Sequence, residues 1–141
     1  MLTFTSVIKQ VSMHNSFSRK IFIVDDNDML SMALEDFITS KTPHTVQVFG
    51  TGEECIRHLA TEVPDIIILD YYLNSIEHKA ANGSKILEAI KKIDPSIHVI
   101  MLSGQDAYGA ALQTIMKGAD SYVIKDADAF TKIESILRNL N

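Results

Sequence analysis

The chain has 141 residues, a formal net charge of −5, 46% hydrophobic residues and 22% charged ones. That length holds one domain of ordinary size, and the composition is that of a globule able to bury a core. The negative balance and the lack of any cluster of Lys and Arg weigh against a nucleic-acid binder, so no direct DNA binding is expected. A single cysteine, Cys55, excludes an intrachain disulfide and gives no support to a thiolate metal site. No stretch approaches the roughly 18–20 apolar residues of a membrane span. The expectation is a cytoplasmic protein, neither secreted nor spanning.

Residues 1–19 are rich in Ser and Thr without a clean period and read as a flexible leader, with one domain over 20–141. From Lys20 onward, short apolar runs alternate with helical patterns. The first strand is Ile21–Asp25 (IFIVD), followed by a helix carrying Leu30, Leu34, Phe37 and Ile38 at spacings of three and four. Asp28 reads as its cap. The second strand is Thr45–Phe49 (TVQVF), followed by a helix marked by Cys55, Ile56 and Leu59. The third strand, Ile66–Asp70 (IIILD), is apolar on both faces, as a central strand covered by helices on each side must be.

A third helix carries Ile86, Leu87, Ile90 and Ile93 and stops at Asp94-Pro95. The fourth strand, His98–Leu102 (HVIML), is again apolar throughout. Leu112, Ile115 and Met116 mark a fourth helix ended by Gly118. The fifth strand, Ser121–Ile124 (SYVI), leads to a fifth helix with Ile133, Ile136, Leu137 and Leu140. Five βα units predict an α/β protein with a doubly wound parallel sheet.

In such a sheet, ligands bind beyond the carboxyl ends of the strands. The strand endings therefore supply the candidates: Asp25-Asp26 after strand one, Asp70 at strand three, Ser103-Gly104 after strand four and Lys125-Asp126 after strand five. Three carboxylates, one hydroxyl and one ammonium share one edge. Like charges that close disfavour mutual ionisation unless a cation joins them. An all-oxygen set without His or Cys points to a hard ion, Mg²⁺, rather than zinc. Carboxylates can form aspartyl-phosphates, and phosphoryl transfer depends mainly on positioning and charge neutralisation. Each residue also has a plainer reading: Asp as a helix cap, Ser and Lys as surface groups, Tyr122 as a half-buried strand aromatic. The shared edge is what sets the cluster apart.

The endings FIVDDND, IIILDYYL and VIMLSGQD and the segment GADSYVIKD (Gly118–Asp126) resemble the response-regulator receiver domains of two-component signalling, over residues 20–141. The resemblance implies a flavodoxin-like (βα)5 fold with strand order 2-1-3-4-5, of the stand-alone, chemotaxis-receiver-like kind. It implies that Asp70 is the phosphoacceptor. Asp25, Asp26 and Asp70 would hold Mg²⁺, Asp26 directly and Asp25 through water, with the Tyr72 backbone carbonyl as a further ligand. Ser103 matches the switch hydroxyl, Lys125 the lysine that pairs with a phosphoryl oxygen, and Tyr122 the switch aromatic. Tyr72 and Gln105 flank the site where the family tunes hydrolysis.

The implied partners are a sensor histidine kinase or a histidine phosphotransfer protein, with the signal leaving through binding to a downstream protein. The implied state is a monomer, or a weak homodimer through the face between the fourth and fifth helices. The domain would act only on its own Asp70, without being a turnover enzyme.

Two departures stand out. Asn74 takes the place of a usual proline and Gly83 that of a usual glycine, so the loop Tyr71–Asn82 is about five residues longer than usual in the family. The loop, with Glu77, His78 and Lys79 as its polar tip, is either a tolerated insertion or one that gates the site or contacts a partner kinase. Asp126 replaces the proline expected after Lys125, and a trans bond there is the default. Among alternatives, an aspartate-nucleophile phosphatase would need a second acid that Asp70-Tyr71-Tyr72 lacks. A flavin protein would need a phosphate loop after strand one. A phosphorylation-independent pseudo-receiver used only for binding is the remaining alternative, kept by Asp126.

Overall fold

The computed structural model describes residues 18–73, 82–104, 111 and 114–140. Five strands form one sheet: β1 (Lys20–Val24), β2 (Thr45–Phe49), β3 (Ile66–Asp70), β4 (His98–Ser103) and β5 (Ser121–Ile124). All neighbours are parallel and the spatial order is β2-β1-β3-β4-β5, as the flavodoxin-like reading requires. The helices are α1 (Asp28–Lys41), α2 (Gly52–His58), α3 (Gly83–Ile93), α4, described at residue 111 and residues 114–116, and α5 (Ala129–Asn139).

The period of two along each strand sorts the core into two layers. On one face, Phe22, Val24, Ile67, Leu69, Val99 and Met101 pack with Cys55, Leu59, Leu87 and Ile90 of the α2 and α3 side. On the other face, Ile21, Ile23, Ile66, Ile68, Ile100 and Leu102 pack with Leu34 and Ile38 of α1 and with Ile133 and Leu137 of α5. Every residue of β3 is buried, which accounts for its unbroken apolar run and its central place.

Boundaries differ in small ways from the sequence expectation. β1 begins at Lys20 and ends at Val24, leaving Asp25 just past the strand, while β4 continues one residue to Ser103. The cap of α1 is Asn27, whose side chain accepts a hydrogen bond from the Leu30 N–H at 3.1 Å; Asp28 is the first helical residue instead. An acidic residue there still suits the positive end of the helix dipole. Gly118 ends α4 with φ 109°, a left-handed conformation that glycine adopts without a steric penalty. Residues 1–17 of the leader, Leu112, Gln105 and the loop tip with Asn74, Glu77, His78 and Lys79 lie outside the described residues.

At the amino-terminal rim, Ser18 and Arg19 are tied to the fold. The Arg19 N–H donates to His44 Nδ1 at 3.0 Å and its guanidinium donates to the Leu140 carbonyl at 3.0 Å. Accepting that N–H requires a bare Nδ1. Burial, then the nearby Arg19 charge, lowers the His44 pKa below its usual 6.5, against a weaker upward pull from Asp65. A histidine with a lowered pKa binds its proton more readily in the unfolded chain, so its contribution is present above pH 6.5 and is lost as the pH falls through that value toward the folded pKa. Urea unfolding at pH 7.5 and 5.5 should therefore show a loss of stability on acidification that is smaller in His44→Asn, which keeps an acceptor but does not titrate. Equal losses in the two proteins would refute the assignment.

Candidate functional site

The parallel register carries the carboxyl ends of β1, β3, β4 and β5 to one rim. Val24 lies opposite Leu69 and Asp70 opposite Leu102, so Asp25 follows β1 beside the end of β3, and Ser103 stands one residue past Asp70's partner. Asp25 and Asp70 are only 2% and 3% exposed, whereas Asp26 is exposed. One carboxylate oxygen from each of Asp25, Asp26 and Asp70 lies within 4.8 Å of the others. The Lys125 ammonium stands 3.1 Å from Asp70 Oδ1 and 3.6 Å from Asp25 Oδ2. The four charged residues singled out from the sequence are thus brought together.

Backbone groups fix the two buried carboxylates. The Asn27 N–H donates to Asp25 Oδ1 at 2.8 Å and the Tyr72 N–H donates to Asp70 Oδ1 at 3.2 Å. The Asp25 N–H in turn donates to the Phe49 carbonyl at 3.1 Å, so β2 holds the turn that presents the acidic pair. Ser103 is fully buried, and its carbonyl accepts the Lys125 N–H at 2.7 Å, which couples the hydroxyl-bearing residue to the lysine through backbone. Tyr122 sits on the edge strand β5 opposite Met101, half-buried against the α2 and α3 side of the core. Tyr72 is 39% exposed beside the site, its ring in an edge contact with Tyr71 at 4.8 Å.

The electrostatics favour a cation. Burial, and next the Asp25 carboxylate beside it, push the Asp70 carboxyl up from 3.8 to about 6, against the downward pull of Lys125 and the Tyr72 N–H. One ammonium faces three acids, so the set carries an excess of negative charge that desolvation makes costly. A hard divalent ion fits this all-oxygen set and its spacing, with Asp25, Asp26 and Asp70 as the holding groups.

A profile described as the response regulator receiver domain matches residues 21–137. The chain belongs to the response regulator receiver domain family. This receiver domain is 24% identical to chemotaxis protein CheY of Bacillus subtilis over 124 residues, covering 88% of the chain and 99% of that protein. It is 25% identical over 123 residues to response regulator protein VraR of Staphylococcus saprophyticus, covering 86% of the chain but only 56% of VraR. The chain thus spans about half of that longer relative. Among solved structures, the BeF3-activated DrrB receiver domain matches with a TM-score of 0.73 at 25% identity, over 86% of this chain and 96% of that one. NtrX of Brucella abortus matches with a TM-score of 0.75 at 21% identity, over 85% of this chain and 27% of that one, a likeness of fold.

The two departures can be located in the receiver frame. The Gly83 N–H donates to the Tyr71 carbonyl at 3.0 Å, so the described ends of the long loop meet just past β3. No cis peptide bond occurs among the described residues, and Lys125 reaches Asp70 without one. Sequence reasoning missed Asn27, whose N–H holds Asp25; an Asx residue just before a helical period was the available signal.

Two outcomes follow from this geometry. A Cβ on Gly83 would lie 2.3 Å from the Asp70 carbonyl oxygen and 2.7 Å from Tyr71 Cα, both backbone atoms that cannot swing aside. Gly83→Ala should destabilise the domain by about 1–3 kcal/mol in denaturant titration, as overpacking does; a change near zero would show that the loop end moves freely. Since the raised Asp70 pKa means that ionisation of this group opposes folding at neutral pH, Asp70→Asn should raise Tm in EDTA by about 3–6 °C, the effect of ~1 kcal/mol in a domain of this size. Adding Mg²⁺ should narrow the gap by stabilising the wild type alone. A variant that melts lower than wild type in EDTA would contradict the crowding of charge.

Proposed function

We propose that this receiver domain is a phosphorylation-controlled switch that takes a phosphoryl group onto Asp70. The observation that carries this reading is a buried Asp70 carboxylate crowded by Asp25 and Asp26 and met by Lys125 at 3.1 Å. An Asp70 oxygen attacks the phosphorus of a phosphohistidine on a sensor histidine kinase or histidine phosphotransfer protein; the P–O bond forms, the P–N bond breaks and the imidazole leaves. Lys125 then pairs with a phosphoryl oxygen, and the Ser103 hydroxyl hydrogen-bonds another. Asp25, Asp26, Asp70 and the Tyr72 carbonyl would hold Mg²⁺, which would supply positive charge against the carboxylates and phosphoryl oxygens. Water attack on the acylphosphate restores the Asp70 carboxylate and releases phosphate, so the domain acts on itself alone.

Tyr122 and the surface from α4 to α5 report the state through altered binding of a downstream protein, in the cytoplasm. The pseudo-receiver alternative rested on Asp126, and Lys125 standing 3.1 Å from Asp70 supports the switch reading beside it. Intact-mass analysis after acetyl phosphate treatment tests the proposal. Wild type should gain one phosphoryl adduct that requires Mg²⁺, and Asp70→Asn should gain none. An unlabelled wild type alongside a receiver that labels would return the domain to phosphorylation-independent binding.

A further inference from the structure

The turn after Lys125 is built around Asp126, and from it we infer that Asp126 is a positioning residue for the Lys125 ammonium. This rests on the phosphoacceptor reading of Asp70. The β5–α5 connection is short: Ile124 ends β5 and Ala129 begins α5. Within it, the Asp126 N–H donates to the Ile124 carbonyl at 2.8 Å, which folds the backbone tightly about Lys125. The Asp126 carboxylate then accepts the Asp128 N–H on Oδ1 at 2.9 Å, and the Asp126 carbonyl accepts the Ala129 N–H at 3.2 Å.

Asp128, although it stands at the N-cap position of α5, makes no side-chain cap bond. Asp126 therefore takes over the work of a cap from two residues upstream, satisfying N–H groups that the helix start would otherwise leave to solvent. Those bonds, the first of which holds the Asp126 carboxyl below its usual range, join the residue after Lys125 to a helix that is itself anchored in the core by Ala129, Ile133 and Leu137. The Lys132 ammonium lies 3.2 Å from Asp126 Oδ2. That pair is exposed and contributes little; the bond from the Asp128 N–H to the Asp126 carboxylate carries the brace.

The consequence for the site is directional. Lys125 is held at its own N–H by the Ser103 carbonyl and on its carboxyl side by the Asp126 turn, so its side chain leaves a backbone fixed at both ends and arrives between Asp70 and Asp25. A side-chain acceptor here performs what a rigid ring would do by restricting φ. Loss of the acceptor frees the turn, and a lysine stem with four rotatable bonds then spends less of its time at the phosphoryl position.

The test is the initial rate of Mg²⁺-dependent phosphorylation by acetyl phosphate in the full 141-residue chain, with thermal unfolding recorded for every variant. Asp126→Ala should slow labelling by on the order of tenfold, short of the ~100-fold that a 1 Å misplacement can cost. Asp126→Asn, which keeps the Oδ1 acceptor and drops the charge, should restore a rate close to wild type. Asp128→Ala, two residues nearer the helix but without a side-chain cap bond, should match wild type. In a Lys125→Ala background, Asp126→Ala should add no further loss, because its effect passes through the lysine.

A rate unchanged by Asp126→Ala, a loss that Asn fails to restore, or an equal loss with and without Lys125 would overturn the inference. A wild type that takes no label would instead overturn the phosphoacceptor reading and this one with it, an outcome distinct from a labelled wild type indifferent to Asp126.

Discussion

The structure depends on holding two buried like charges side by side. Asp25 and Asp70 are nearly inaccessible, and the Asp25 carboxylate is among the causes that raise the Asp70 pKa to about 6. Such a pair persists only where the surrounding backbone over-determines it. Here one N–H from the turn after each strand grips each carboxylate, and a single lysine bridges them. The remaining imbalance is what a divalent cation would relieve.

The sheet makes that arrangement possible at low risk to the fold. The two apolar layers on either face of β1, β3 and β4 are built mainly from strand and helix residues, with Leu73 and Tyr71 added just past β3. Burial of this kind, at roughly 25 cal/mol per Å² of apolar surface, carries the stability, while Asp25 and Asp70 each stand one position past the last core residue of β1 and β3. Val24 precedes Asp25 and Leu69 precedes Asp70, both fully buried. A one-residue slip of register would turn these carboxylates toward an apolar layer, so the packing that fixes register also fixes the site.

Most of this was legible because it rests on patterns of period and order. IIILD and HVIML could only be interior strands, and once the strands were ordered, Asp25, Asp26, Asp70 and Lys125 had to converge. The parts that were not legible depend on individual hydrogen bonds. Nothing in Asn27-Asp28 alone decides which residue accepts the Leu30 N–H, and the structure selects Asn27 because its backbone is extended there, with ψ 102°, while Asp28 already lies in the helix. Likewise Asp126 reads as the loss of a proline, and its gain as an acceptor for the Asp128 N–H appears only when the turn is seen.

Both departures from the family pattern fall in connections, never in strands, and this explains why the site tolerates them. The described ends of the long segment after β3 are joined by the bond from the Gly83 N–H to the Tyr71 carbonyl, next to Asp70. The substitution after β5 is absorbed by a carboxylate that caps the turn from within. In each case a backbone group adjacent to a site residue is held by a local bond. The rim geometry is therefore a property of strand ends and their first neighbouring bonds, which leaves the connections free to diverge without moving Asp25, Asp70 or Lys125 relative to one another.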